Sequence, residues 1–303
     1  MREAEKEAVV RCLIVRPLVL HSLALGVLVL ATPLRALAQS PALGDFSIAY
    51  GGSFSEHSSD SPATTPAIIA LPLATTVSLS PIFTFHASTG SIGSVKTQGA
   101  PRATGFGDTK LGLTGSWPLP QADNVQIAGD YTVKLPTADS AKGLGSGFAD
   151  HQLTVSPTVS FGVDGVNAVS ADFGVDLVGG DQSRDPYFFT DGYFTRTLNK
   201  DNELDFEVDY TPAAHGNPSD GVFIVSAKRK MPVGSDSTRA QAWTITPGVT
   251  AGLVSSSSRW GAFINLTYSN SKAQPAGPFL AANLAHPAVG RHILGLGVSG
   301  SRR

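Results

Sequence analysis

Three groups of residues have types and spacings that could do chemistry. His86 and Ser88 stand two apart, so on a pleated strand they share one face, and a histidine beside a serine is the beginning of the nucleophile and base pair of a hydrolase. Such a pair needs the base within about 2.6–3.2 Å of the hydroxyl and a third group to orient it. No Asn or acid is evident on the segments expected to flank it, and in a serine-rich chain a chance H-x-S is the stronger reading. Gly143, Gly145 and Gly147 have the spacing G-x-G-x-G. No Lys-Ser/Thr and no helical pattern follow, so a phosphate cradle is a poor reading. A tight connection explains them better: Pro136 ends a strand, and glycines reach backbone angles closed to other residues. The third group is acidic: Asp108, Asp130, Asp150, Asp172, Asp176, Asp205, Glu207 and Asp209, set against Lys110 and Lys134. No His/Asp/Glu set has metal-ligand spacing, and neither a catalytic residue nor a cofactor or metal site is expected.

The elements that carry these groups read as long two-sided strands. Val125, Ile127, Gly129, Tyr131, Val133 and Leu135 alternate with Gln126, Ala128, Asp130, Thr132 and Lys134. After the glycine-rich connection, Asp150, Gln152, Thr154, Ser156, Thr158 and Ser160 alternate with His151, Leu153, Val155, Pro157, Val159 and Phe161. A period of two puts one set on each face of a strand. Similar segments are expected at 45–54, 63–70, 76–86, 105–117, 165–178, 187–198, 204–210, 221–230, 242–253, 259–269 and 291–299. The segment 187–198 is aromatic on both faces, so its facing is ambiguous. Pro81, Pro157 and Pro247 fall inside these segments, where each removes a ladder donor, so bulges or bends are expected there.

Composition bounds the class. The 303 residues carry a formal charge of −2, with 42% hydrophobic and 15% charged residues, 32 Gly and 20 Pro. Low charge, abundant glycine and no sustained helical periodicity beyond the N-terminus point to an all-β chain. Residues 1–38 read as a secretory signal: Arg2, Lys6, Arg11 and Arg16 flank the apolar run 17–31, and Ala36-Leu37-Ala38 is a small-x-small cleavage pattern. Glu3, Glu5 and Glu7 are atypical of such a leader and are compatible with a true start further downstream. Removal of the leader takes Cys12, the one cysteine, and leaves 17 basic against 21 acidic residues, a charge of −4 that does not recommend nucleic acid as a partner.

The strand pattern discriminates between two all-β solutions. A soluble sandwich is built of strands of about five or six residues, whereas these run to about ten with a continuous apolar face beside a face of Ser, Thr, Asp and Gly. A transmembrane barrel needs strands of about 9 to 11 residues with apolar side chains toward lipid and polar ones toward the lumen. Backbone groups cannot go unpaired in lipid, so such a sheet must close. We therefore expect residues 39–303 to form an up-and-down antiparallel transmembrane β-barrel of about 12 strands, with 14 as the alternative. The segments above number thirteen, an odd count that a single-chain bacterial barrel does not use. Either 63–70 is not an independent strand or 271–290 hides another. The acidic residues and the two lysines are then expected to face the lumen, either disfavouring anions or, the stronger reading, solvating it and pairing with Arg196 and Lys228. Trp117, Tyr210, Trp243, Trp260 and Tyr268 are expected in the aromatic girdles.

The residues around the glycine-rich connection carry a family resemblance. Phe106-Gly107-Asp108, then VKLPT at 133–137 with Leu135, Pro136 and Thr137, then KGLGSG at 142–147 and a strand from Asp150 resemble the bacterial outer-membrane family labelled putative MetA-pathway of phenol degradation. That family is in turn similar, more distantly, to barrels that carry fatty acids and aromatic hydrocarbons. The match is specific over 105–161. One departure is the C-terminus, Ser301-Arg302-Arg303, where such barrels usually end in an aromatic residue. The resemblance implies the bacterial outer membrane as location, its lipids and an unidentified small molecule as partners, and the barrel-assembly machinery during biogenesis. The expected function is a channel or transporter for a small, hydrophobic or aromatic molecule. The alternatives are a lipid hydrolase using Ser88 and His86, or a plugged structural barrel.

Overall fold

A computed structural model describes residues 44–57, 67–89, 93–95, 103–120, 122–142, 144–179, 186–213, 219–235, 239–254 and 258–272. The expected leader and the expected segment 291–299 lie outside them. Twelve strands make up the sheet. β1 is Phe46–His57. β2 runs in two pieces, Ala67–Ala70 and Leu73–Ser78, β3 in Phe83–Thr89 and Gly93–Val95, and β4 in Ala103–Gly105 and Thr109–Leu119. The others are β5 Ala122–Leu135, β6 Asp150–Phe161, β7 Asn167–Val178, β8 Tyr187–Asn199, β9 Asn202–Thr211, β10 Asp220–Ser235, β11 Arg239–Gly252 and β12 Ser258–Lys272.

Each strand pairs antiparallel with the next, and β12 pairs back on β1 from Phe46↔Asn270 to Phe54↔Ala262, so the sheet is a closed barrel. Both pieces of β2 keep one register against β1, with Tyr50↔Leu73 below the break and Ser53↔Ala70 above it. The segment 63–70 is therefore half of a strand, and the expected single strand 76–86 is two half-strands joined by a turn at 79–82. The cause is Pro81, which cannot donate to a ladder. The Ser80 hydroxyl instead accepts from the amides of Ile82 (3.2 Å) and Phe83 (2.9 Å), and Leu79 N–H donates to the Phe83 carbonyl. These two changes redraw boundaries but leave the number of strands unaltered. Twelve of the thirteen expected segments fall among the described residues, 291–299 lies outside them, and the strand at 258–272 itself closes onto β1. The other prolines stay in their strands and interrupt one ladder each. Pro157 is in register with Ile127 of β5, while the β6–β7 pairs stop at Ser170↔Thr158 and resume at Phe173↔Val155. Pro247 is in register with Ile264, while the β10–β11 pairs lapse between Ser226↔Gly248 and Arg229↔Ile245.

The two ends differ. The connections 79–82, 120–121, 162–166, 200–201 and 236–238 share the end where β1 begins and β12 finishes, and all are short. The opposite end carries 58–66, 96–102, 136–149, 179–186, 212–219 and 253–257, which are mostly longer. Short turns at one rim and longer loops at the other are the habit of outer-membrane barrels.

The faces are inverted relative to a soluble protein. Along β7, Asp172 is 2% exposed while its neighbour Phe173 is 58% exposed, and the same contrast sets Asp205 against Val208 and Thr154 against Val155. Ile48, Tyr50, Leu113, Ile127, Val159, Val169, Val249, Ile264 and Leu266 are all exposed large apolar side chains. Their area is what a bilayer, not water, would cover.

Candidate functional site

The enclosed face of the barrel is the candidate site, and it is assembled by the pairing of strands far apart in sequence. On β3, His86 reaches over Gly112 of β4 to Asp130 of β5, with Nε2 2.7 Å from Oδ2. Gly112 makes this possible, because a Cβ there would sit 2.2 Å from the His86 ring. Thr114 donates to Asp130 Oδ2 at 2.7 Å and Thr132 to Oδ1 at 2.8 Å, so both carboxylate oxygens are engaged. An acid partner for His86 thus exists, although the flanking segments supply none, as expected. It comes from the second strand over, through a glycine gap that spacing does not reveal. Ser88, in register with Lys110, makes no hydrogen bond to His86 among the described residues.

Toward the loop rim the lysines meet their counter-charge. Lys110 stands opposite Lys134, and Lys134 forms an ion pair with Asp150, whose other oxygen accepts from Gly179 N–H at 3.1 Å. On the far wall, Lys228 of β10 bridges Glu203 at 2.7 Å and Asp205 at 3.0 Å, and Thr195 donates to Asp205 Oδ1. Arg196, the other basic group considered as a partner for the carboxylates, is exposed. Asp176 accepts from the Tyr187 hydroxyl at 2.8 Å.

Between these clusters lies a row that the sequence did not disclose. Asp172 of β7 is in register with Asp191 of β8, and Asp191 with Asp209 of β9, so three aspartates stand directly opposite one another across consecutive strands. Glu207 follows one step along the same face, in register with Tyr193. Like charges opposed in this way are unfavourable unless something compensates, and the Tyr193 hydroxyl lies 3.4 Å from Asp172 and 3.5 Å from Asp191. Apolar groups interleave with the acids: Phe189, Tyr193, Val222 and Ile224 are all buried, and the Phe189 ring lies over Gly174. Asp191, Phe189 and Tyr193 were missed because 187–198 has aromatics at both parities. Only its register against Asp172 decides which set is enclosed.

The family-motif residues converge at the loop rim. Asp108 Oδ1 accepts from Ala138 N–H and Oδ2 from Ser146 N–H, both at 3.1 Å. Thr137 Oγ1 accepts from Thr109 N–H at 2.8 Å, where Leu135 ends β5 and Pro136 begins the connection. Gly145 abuts the Asp108 carboxylate, Gly147 has φ +75°, and Gly143 lies outside the described residues.

The aromatic residues sit toward the strand ends. At the turn rim Trp243 packs on Tyr268 (5.2 Å between ring centres) and Trp117 edge-on to Phe83 (6.2 Å), its ring covering Gly115. Trp260, against Phe54 at 5.4 Å, and Tyr210 lie toward the loop rim.

A closed barrel of twelve strands among the described residues, apolar outside and ionisable within, has the architecture of a transmembrane β-barrel. No family model and no curated protein matches the chain. Among solved structures, the COG4313 outer membrane channel from Pseudomonas putida F1 matches with a TM-score of 0.58 and 12% identity, over 79% of this chain and all of that one. The KdgM porin (TM-score 0.46, 11% identity, 73% of this chain and 98% of that one) and the Ralstonia pickettii toluene transporter TbuX (0.37, 12%, 79% and 93%) match more loosely. At such identity the first likeness establishes the fold.

Proposed function

We propose that the protein is a channel of the bacterial outer membrane that passes a small molecule and carries out no chemical reaction. The observation that carries this reading is the closed barrel with exposed apolar side chains outside and carboxylates, lysines and hydroxyls enclosed. In this reading the short turns face the periplasm and the longer loops the outside, and the leader 1–38 delivers the chain for insertion by the assembly machinery. The residues Asp108, Lys110, Asp130, Lys134, Asp150, Asp172, Asp176, Asp205, Glu207 and Asp209 line the pathway. The acidic row of β7–β9 makes it less hospitable to anions than to cations or neutral solutes. The resemblance of the FGD, VKLPT and KGLGSG motifs supports a hydrophobic or aromatic cargo.

Reconstitution of residues 39–303 in planar bilayers and in liposomes tests this reading. Current steps with a reversal potential favouring cations, and uptake of phenolics or fatty acids in preference to sugars, are the expected results. Neither current nor uptake under any condition would refute it. One observation favours a second reading, the Asp130 carboxylate on His86, which is the orienting pair of a hydrolase. Lipid-hydrolase activity that Ser88→Ala abolishes would establish that reading instead.

A further inference from the structure

Lys228 of β10 turns its side chain inward to Glu203 and Asp205, so its neighbours Ala227 and Arg229 project from the outer face. Ala227 stands opposite Leu204 of β9, and on its other side the β10–β11 ladder lapses at Pro247, which is in register with the outward Ile264. A methyl among larger side chains leaves a hollow. Leu198 and Leu204 wall it on one side and Ile245 and Pro247 on the other, and the groove has a volume of about 370 Å³. Toward the turn rim its lining becomes polar: Arg229 is in register with Asn202, the first residue of β9, and Asn199 Oδ1 accepts from Asn202 Nδ2 at 2.8 Å. Arg196 repeats this placement on β8. Thr195 bonds inward to Asp205, so Arg196 projects outward, and it is in register with Asn167, the first residue of β7. Arg196 also stands opposite Leu204, which puts the two arginines on either side of that wall, about 12 Å apart at ~4.8 Å between strands and ~3.4 Å per residue. Both are exposed, and neither forms an ion pair among the described residues. An arginine toward lipid is costly at the midplane and cheap at the interface, and the turns 162–166 and 200–201 beside these two mark the interface. Guanidinium groups there match phosphate in charge and in bidentate geometry, while the groove beyond them matches a hydrocarbon chain.

We propose that this groove binds an anionic phospholipid of the leaflet at the turn rim, with Arg229 and Arg196 on the headgroup phosphate and one acyl chain over Ala227 between Leu204 and Pro247. The site rests on the membrane-embedded barrel of the proposed function, not on conduction. The full chain is expressed, and the barrel is purified from the membrane fraction in a non-ionic detergent. It is then titrated with phosphatidylglycerol or phosphatidylcholine of identical acyl chains and read by native mass spectrometry. Phosphatidylglycerol should occupy one tight site, with phosphatidylcholine at least about tenfold weaker. Arg229→Gln should weaken phosphatidylglycerol at least about tenfold, and Arg196→Gln, in the same direction, serves if that variant fails to fold. Lys200→Gln, an equal loss of charge in the neighbouring turn, should cost no more than the roughly fivefold that any basic residue near an anionic surface supplies. Ala227→Trp fills the groove without changing charge and should weaken both lipids at least about fivefold. Retained mobility of the unheated barrel on gels shows that each variant is folded. Equal affinity for the two lipids, or an arginine effect no larger than that of Lys200→Gln, overturns the site. Undiminished binding by Ala227→Trp overturns it too, since it leaves charge attraction without a groove. Selective lipid binding by a barrel that passes no current refutes the channel reading alone, and current without selective binding refutes the lipid site alone.

Discussion

A single charge placed on each face of β12 tests the inverted architecture directly. Ile264 is 51% exposed and stands midway between Trp260 and Tyr268. Those two residues are about 27 Å apart along the strand at about 3.4 Å per residue. With a strand tilt of about 40° that is about 20 Å of barrel height, close to the ~25 Å apolar band of such barrels. Ile264 is therefore near the middle of the band, where an arginine facing lipid costs about 2–4 kcal/mol. That is a loss of roughly 30- to 1,000-fold in the folding equilibrium, since about 1.4 kcal/mol is a factor of ten. Asn265, the next residue, belongs to the enclosed face and approaches Gly51, so Asn265→Asp introduces a charge of the same shape without exposing it to lipid. Urea titration of refolding into phosphatidylcholine vesicles, followed by tryptophan fluorescence, measures both. Ile264→Arg should lower stability by that amount and Asn265→Asp by less than about 1 kcal/mol. A reversed order, or Ile264→Arg within about 0.5 kcal/mol of the wild type, would refute the assignment of the apolar face to lipid.

Other expectations follow from particular contacts. Gly112→Ala should destabilise the barrel by about 1–3 kcal/mol through overpacking on the His86 ring, whereas Gly192→Ala, with nothing within 4 Å of the new methyl, should leave the urea midpoint near that of the wild type. Replacing Asp172 and Asp191 together by Asn should move the reversal potential toward that of an unselective pore, and an unchanged potential would detach the acidic row from the pathway. In the connection, the hydrogen bond and charge of Lys142 hold the exposed Asp139 carboxyl below its ordinary value. The contact is therefore present above the normal carboxylate range and lost as pH falls through the lowered value. A carboxyl-carbon NMR titration should place the Asp139 midpoint below about 3.9 and nearer to it in Lys142→Ala. A wild-type midpoint at or above that value would contradict the contact.

Much of this barrel is legible from alternation alone. A period of two fixes which side chains share a face, and Leu204, Phe206, Val208 and Tyr210 against Asp205, Glu207 and Asp209 leave no doubt that β9 is two-sided. Glycine and proline mark where strands stop, and the motif residues Asp108, Pro136 and Gly145 announce a special connection. What alternation cannot supply is register, since it relates residues within one strand and says nothing about which residue of the next strand stands opposite. The pairing Asp172↔Asp191↔Asp209, which reads the ambiguous segment 187–198 and creates the acidic row, exists only once three strands are hydrogen-bonded together. The His86 and Asp130 contact needs a third strand that contributes an absence, the missing side chain of Gly112. The same holds for Asp108: its charge and position are written in the chain, but its hold on Ala138 and Ser146 is a long-range contact between backbone amides, which carry no sequence signature, and a carboxylate that the pairing of β4 with β5 brings beside them.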